Sequence, residues 1–440
     1  GVLPALFHVP LPQSFSTIHS FLLYPRCKAT YAHGWFRKGC DMTNPTDIPQ
    51  LRLRPKKSPQ RFRRGAPWVF ADEVVLDRRT RAIEAGSLVQ VTDEAREPFA
   101  LATINPGSKI IARILDHDPE AVLDAAWFEA RIARALELRE TLYDAPFYRL
   151  IHAEADGCPG LIVDRFGDQL VMQPNTAWAD RNVDTISAAL LAVTGARSIY
   201  LNASSRARRL EGLDDAARAL AGDVPGTLDV PMNGATYRAD IAGGQKTGLF
   251  FDQRDNHAAA ARFAKGRRML DVFCHVGGFG LASLAAGATD VLALDSSQPA
   301  LDLATEGAVA SGFGDRFATR TGDAVASLRA LNDEDRRFGL VVCDPPAFAP
   351  HKEALEAGLR GYERVANHGA KLVEPGGYLV LCSCSQAADP AAFRTACLTG
   401  IGRARRRAQL LMTGGAGPDH PAHTHLADTG YLKALFFRLD

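Results

Sequence analysis

Four places in this sequence set reactive or ligand-binding side chains beside turn-forming residues. The first is Leu381-Cys382-Ser383-Cys384-Ser385. A thiolate is a strong nucleophile, and a thiol at the rim of a crevice is a candidate for covalent chemistry. Cys382 reads as lying inside a strand, where a thiol is a small buried hydrophobe. Cys384 reads as the end of that strand, which makes it the candidate nucleophile. The second place is Val341-Val-Cys-Asp344-Pro345-Pro346-Ala-Phe348. Two consecutive prolines fix φ and remove two backbone donors, so they stiffen the loop behind the carboxylate. A flat nucleobase could lie against such a loop with Asp344 bonded to its edge, and Pro345, Pro346 and Phe348 would line it. The third is Asp271-Val-Phe-Cys-His-Val-Gly277-Gly278-Phe-Gly280. Glycines after a strand let a ligand approach the backbone closely at a helix N-terminus. The spacing is Gly-Gly-x-Gly, not the dinucleotide pattern. The fourth is a pair of carboxylates, Asp295 and Asp323. One could accept the hydroxyls of a ribose, the other an adenine amino group.

These residues need parallel strands to bring them to one edge. Strands are expected at Met269–Phe273, Val291–Asp295, Leu340–Cys343 and Tyr378–Cys382, with helices between them. Strand–helix alternation predicts a doubly wound, parallel α/β sheet over residues 241–440. Such sheets bind ligands at the carboxyl ends of their strands, where all four places fall.

The rest of the chain divides by texture. Its 440 residues exceed one hydrophobic core, and 46% hydrophobic with 23% charged residues excludes a disordered or collagen-like chain. Eight cysteines at no zinc-finger spacing suit a reducing, cytoplasmic setting, and no apolar run is long enough to cross a membrane. Net charge is only +1, which leaves local basic patches free to matter. Residues 1–49 lack periodicity and the first methionine is Met42, so 1–41 is expected to be a dispensable extension. Leu51–Arg64 then carries seven basic residues and no acid. Beside Trp68 and Phe70 it marks a small β-barrel over 50–120, with strands at Ser87–Thr92, Phe99–Ile104 and Ile110–Leu115. Arg61, Arg63 and Arg64 are the candidate contacts to a nucleic-acid backbone. Residues 121–240 read as a compact α+β domain, with a helix over Asp124–Tyr143, one near Ala179–Val193, and hairpins at Gly160–Gln173 and Leu228–Ile241. Asp419-His420-Pro-Ala-His423-Thr-His425 lacks cysteine partners and reads as a substrate-side loop, with no metal expected.

With these motifs together, the chain resembles the RlmI-like family of ribosomal RNA large-subunit methyltransferases, over about residues 50–440. The most specific matches are Gly244–Asn256, Asp271–Gly280, Asp344–Phe348 and Ser383–Ser385. Gly65–Phe70, Glu154–Asp164, Glu211–Leu213 and Asp419–Pro421 also match. His275 and Ala66 depart from the pattern, where an aromatic residue and a histidine are usual. The resemblance implies a PUA-like RNA-binding domain, a central α+β domain and a Rossmann-like class I methyltransferase domain. It implies S-adenosylmethionine bound by Asp271, Gly277, Gly278, Asp295 and Asp323, with Lys246, Thr247 and Arg254 bordering the cofactor and substrate cleft. It implies ribosomal RNA as partner and leaves a homodimer open.

Cytosine C5 is a poor nucleophile. A thiolate adding at C6 makes C5 carbanion-like, so Cys384 and Asp344 suit 5-methylcytosine chemistry, and the resemblance implies large-subunit ribosomal RNA as its substrate. Three rivals stay open. A guanine-nitrogen methyltransferase would also use Asp-Pro-Pro without needing Cys384. A nicotinamide oxidoreductase would share the adenosine carboxylates but predicts G-x-G-x-x-G. A non-catalytic RNA-binding assembly factor would need only the basic barrel.

Overall fold

The computed structural model describes residues 48–243, 248–426 and 430–440. Expectations for residues 1–41, and for Lys246 and Thr247, lie outside the described residues. The first domain is a five-stranded sheet in the order Gln50–Arg52, Leu88–Thr92, Pro98–Ile104, Ile110–Asp116, Trp68–Phe70. A bridge between Leu53 and Val74 joins the segments beyond its two edge strands, which curls the sheet towards a barrel. Its alternating apolar residues, among them Val89, Val91, Ala102 and Ile111, meet in one core with Phe62.

The central domain is a second five-stranded sheet, ordered Ala216–Ala221, Ser198–Ala203, Gln169–Pro174, Leu161–Phe166, Phe147–His152. Helix Ala125–Leu142 begins where the Asp124 carboxylate accepts the Trp127 amide at 3.0 Å, a side-chain cap. Its Trp127, Phe128 and Ile132 bury against Trp178 and the sheet. The single helix expected near Ala179–Val193 is two, Ala177–Arg181 and Val183–Thr194, because Asn182 lies between them outside helical geometry.

The hairpin Thr227–Met232 and Ala235–Asp240 packs elsewhere than expected. Val230, Met232, Tyr237 and Ala239 join the core of the following sheet, so the hairpin packs with the third domain across the boundary expected at residue 240.

That domain holds seven strands: β1 Arg268–Val272, β2 Asp290–Asp295, β3 Phe317–Thr321, β4 Phe338–Cys343, β5 Val373–Ser383, β6 Ala408–Gly414 and β7 Lys433–Leu439. Their order is β3-β2-β1-β4-β5-β7-β6, with β1 to β5 parallel and β7 antiparallel to both its neighbours. Helices α1 Arg254–Ala261, α2 Gly278–Ala285 and α3 Gln298–Ala310 cover one face. Helices α4 Ala324–Asp333, α5 Leu355–Leu372 and α6 Pro390–Arg403 cover the other. Alternation decides the sidedness: Val341 and Cys343 meet α5, whereas Leu340 and Val342 meet the opposite core. The strand order reverses beside β1, so a crevice opens at the carboxyl ends of β1 and β4. No helix among the described residues is long and apolar enough to cross a membrane.

Candidate active site

The chain leaves β1 through a strained turn. Phe273 and His275 take positive φ values of 64° and 51°, which side chains other than glycine rarely adopt, and Gly277 follows at 83°. Two carboxylates hold the turn. Asp295, half-buried at the tip of β2, accepts the His275 amide and the Ser297 amide, each at 2.9 Å. Asp271 is fully buried and accepts the Gly280 amide at 2.8 Å, while its second oxygen finds no partner among the described residues. Burial pushes its pKa up to about 7, against the Gly280 bond, with Asp295 adding to the rise. From below, Tyr237 donates to the Gly278 carbonyl at 3.1 Å. A Cβ on Gly278 would stand 2.6 Å from the buried His257 ring, so only glycine fits there.

This part of the crevice suits a nucleoside. Asp295 offers lone pairs at a strand tip, and the N-terminus of α2 faces the same edge. Asp271 supports the turn from inside rather than lining the crevice. Asp323 caps α4 through the Ala326 amide at 2.8 Å and stays exposed at the same edge, beside Gly322, whose amide binds the Asp295 carbonyl at 2.9 Å. Capping and ligand binding are both open to it.

The second part of the site joins the ends of β4 and β5. Register pairs Cys343 with Leu381, so Asp344 and Cys384 leave adjacent strands at the same edge. Asp344 accepts Gln253 Nε2 at 2.9 Å, and Gln253 is held in turn by Asn256 Nδ2 at 2.6 Å. Cys382 is buried on the sheet, and burial pushes its thiol well above the ordinary range, with the Asp344 charge adding to the rise. Cys384 is half-buried at the rim. The serines beside it point inward. The buried hydroxyl of Tyr362, on α5, takes Ser383 Oγ at 2.9 Å and Ser385 Oγ at 2.6 Å. Ser385 Oγ also accepts the Ala349 amide at 2.9 Å, tying the cysteine segment to the Asp-Pro-Pro loop.

Phe348 is half-buried at this edge. Its ring packs 4.9 Å from Tyr362 and 6.4 Å from Phe273, and Gly358 and Gly361 of α5 make room for it and its backbone. These contacts anchor the loop on α5. Pro345 is buried and Pro346 is exposed.

Arg254 sits differently from the cleft-lining position expected. It is buried, its guanidinium lies 4.2 Å from the Tyr143 ring, and it donates to the Phe147 carbonyl. It fastens α1 to the central domain. Asp252, which could have capped that helix, instead accepts the Tyr431 hydroxyl at 2.5 Å.

In the first domain Arg61, Arg63 and Arg64 are all exposed. Arg61 is paired with Glu73 and donates to the Trp68 carbonyl at 3.0 Å, and Arg63 lies over Phe99. Trp68 Nε1 donates to Glu154 at 2.8 Å, and Arg113 binds Glu154 and Glu211 at 3.4 and 2.8 Å. The loop around Asp419 is a clasp. Asp419 is fully buried, accepts the Arg149 amide at 2.9 Å and pairs with His420 at 2.8 Å. His425 meets the Arg64 carbonyl at 2.7 Å. These contacts give the loop a structural duty in place of the substrate-side one expected.

Tyr362 and Lys433 were not singled out from the sequence, and Gln253, Ser383 and Ser385 entered only as members of matched stretches, with no role given to them. For Gln253 the Asp252-Gln-Arg254 stretch was the available signal.

A family of S-adenosylmethionine-dependent methyltransferases matches residues 172–438, and a PUA-like domain family matches residues 51–117. The chain is 34% identical over 379 residues to ribosomal RNA large subunit methyltransferase I of Photobacterium profundum, covering 85% of this chain and 95% of that protein. It is 33% identical over 395 residues to the protein of the same name from Shewanella denitrificans, covering 89% and 99%. Among solved structures, a protein of Streptococcus mutans described as a SAM-dependent methyltransferase superposes with a TM-score of 0.74 at 16% identity. It covers 89% of this chain and 100% of that one, a likeness of fold.

Proposed function

This chain belongs to the ribosomal RNA large subunit methyltransferase I family of S-adenosylmethionine-dependent enzymes, and from that premise we propose that it methylates cytosine C5 in large-subunit ribosomal RNA through an adduct on Cys384. The observation that carries the reading is the placement of Asp344 and Cys384 just past the carboxyl ends of adjacent strands β4 and β5, next to β1 and its glycine turn.

S-adenosylmethionine supplies an electrophilic methyl group when bound; the glycine turn at Gly277 and Gly278, with Asp295 and Asp323, would hold it. The protein's own residues do the rest. The Cys384 thiolate adds to C6 of the cytosine, forming a C–S bond and moving electron density onto C5. Asp344, held by Gln253, bonds the N3/N4 edge and orients the ring. Once C5 carries the methyl group, a general base such as a water molecule takes the C5 proton, the C–H electrons re-form the C5–C6 double bond, and the C–S bond breaks to release the thiolate. The Tyr362, Ser383 and Ser385 hydroxyls fix the cysteine segment so that the thiol need not be ordered during the reaction. The exposed Arg63 and Arg64 of the PUA-like domain would bind RNA phosphates, with the other matched elements shaping the cleft.

Nucleoside mass spectrometry of ribosomal RNA from cells lacking the gene tests the reading. Loss of 5-methylcytosine at one large-subunit position supports it. Loss of a methylated guanine instead would transfer the site to the Asp-Pro-Pro chemistry of nitrogen methylation.

A further inference from the structure

Attack by Cys384 requires a thiolate, and an ordinary thiol titrates near ~8.5. We propose that Lys433, at the start of β7, is the positioning residue that holds the Cys384 segment and stabilises its thiolate, an inference that rests on the reading of Cys384 as nucleophile.

The geometry carries it. Lys433 pairs with Ser383 across the antiparallel β5–β7 ladder, one residue from the cysteine. The residue is 8% exposed, and its Nζ donates to the Ser385 carbonyl at 2.6 Å and the Ala388 carbonyl at 2.9 Å. Both carbonyls belong to the segment that leaves β5 just after Cys384. An ammonium has three N–H donors, and these carbonyls take two, which leaves one for an anion at the neighbouring thiol. Lys433 forms no ion pair among the described residues. A buried ammonium bonded only to neutral carbonyls is incompletely compensated, and an adjacent thiolate would complete it. Burial lowers the Lys433 pKa, while Cys384 and Asp389 act against that fall, which places all three in one electrostatic neighbourhood.

The other groups around the thiol do not supply this. Tyr362 on α5 and Tyr431 ahead of β7 are held neutral by burial, as is Cys382 on β5. Asp344 after β4, Asp389 before α6 and Asp252 behind Tyr431 are carboxylates that disfavour a second anion. Arg149, which faces Tyr431, is already paired with Asp164 at 2.5 Å. Lys433 is the cation bonded directly to the cysteine segment.

The test is the pH dependence of Cys384 alkylation by iodoacetamide in the full chain, followed by mass spectrometry of the Cys384 peptide. In the unaltered protein the midpoint should lie below that of a free thiol. Lys433→Met should raise it by roughly 1–2 pH units, and Lys433→Arg should restore most of the shift. Methyl transfer by Lys433→Met should fall near pH 7 and recover towards pH 9, with S-adenosylmethionine affinity unchanged. A midpoint at or above ~8.5 in the unaltered protein overturns the proposal without any variant. So does an unmoved midpoint in folded Lys433→Met. Methylation by Cys384→Ala would instead remove the nucleophile reading, a failure that the alkylation midpoint keeps distinct from one at Lys433.

Discussion

At the scale of single residues, the two halves of the site depend on carboxylates with different surroundings. Asp271 is sealed inside and braces the glycine turn, whereas Asp295 braces the same turn from a half-exposed position and keeps lone pairs for a ligand. Asp295→Ala should therefore weaken S-adenosylmethionine binding on the order of ten- to a hundredfold, since a bond to a charged group is worth roughly 1.5–3 kcal/mol. Calorimetry of the variant checks this, and unaltered affinity would remove Asp295 from the site. Asp295 was legible in the sequence because it ends a strand followed by a turn signal, whereas the role of Asp271 came only from the family resemblance. Lys433 was not legible. A single lysine at the start of an apolar C-terminal strand reads as a side chain reaching for solvent, and only the packing of β7 against β5 turns it inward.

At the scale of elements, α5 is as much a part of the site as the strands. Gly358 and Gly361 let the Asp-Pro-Pro loop press onto the helix, and Tyr362 then reaches the two serines. A helical Gly→Ala exchange ordinarily gains roughly 0.5–1 kcal/mol. At Gly358 the new Cβ would stand 2.8 Å from the Phe348 backbone and 2.7 Å from the Ala349 Cβ. Overpacking of this kind costs roughly 1–3 kcal/mol, so the sign should reverse. Gly358→Ala is expected to melt at a lower temperature and to turn over more slowly, while binding the cofactor normally. A stabilised, fully active variant would show that the loop does not need this contact. The four parallel strands carrying the motifs were readable from apolar runs and flanking turns. The role of Ser383 and Ser385 was not, because their motif showed but their partner Tyr362 lies on a helix, 21 and 23 residues away, with no local pattern to mark it.

At the scale of the whole molecule, the matched stretches away from the crevice motifs prove to be joints. Trp68, Glu154 and Glu211 meet between the PUA-like and central domains, and the Asp419 loop binds all three domains. Their sequence signal was visible, but a joint and a substrate loop look alike until the partners are in place. The clasp should also respond to acid. Burial lowers His420 to about 3 and His152 to about 2, in each case with Arg149 adding to the effect. Their rings are 5.1 Å apart. The ordinary value is 6.5, so below it the unfolded chain binds protons that the folded chain refuses. The stability these histidines contribute is present above pH 6.5 and is lost as pH falls through the window down to about 3. Each costs on the order of 1 kcal/mol per pH unit there. His420→Asn should flatten the fall in melting temperature between about pH 6.5 and pH 5, and an unchanged slope would separate the clasp from acid stability.

The account turns on a covalent bond to Cys384. RNA containing 5-fluorocytosine, incubated with the enzyme and S-adenosylmethionine, tests it directly, because fluorine at C5 blocks the elimination that frees the enzyme. A denaturation-resistant protein–RNA adduct whose mass maps to the Cys384 peptide, absent from Cys384→Ala and retained by Cys382→Ala, is the predicted result. Absence of any adduct, together with methyl transfer by Cys384→Ala, would contradict the cytosine C5 mechanism.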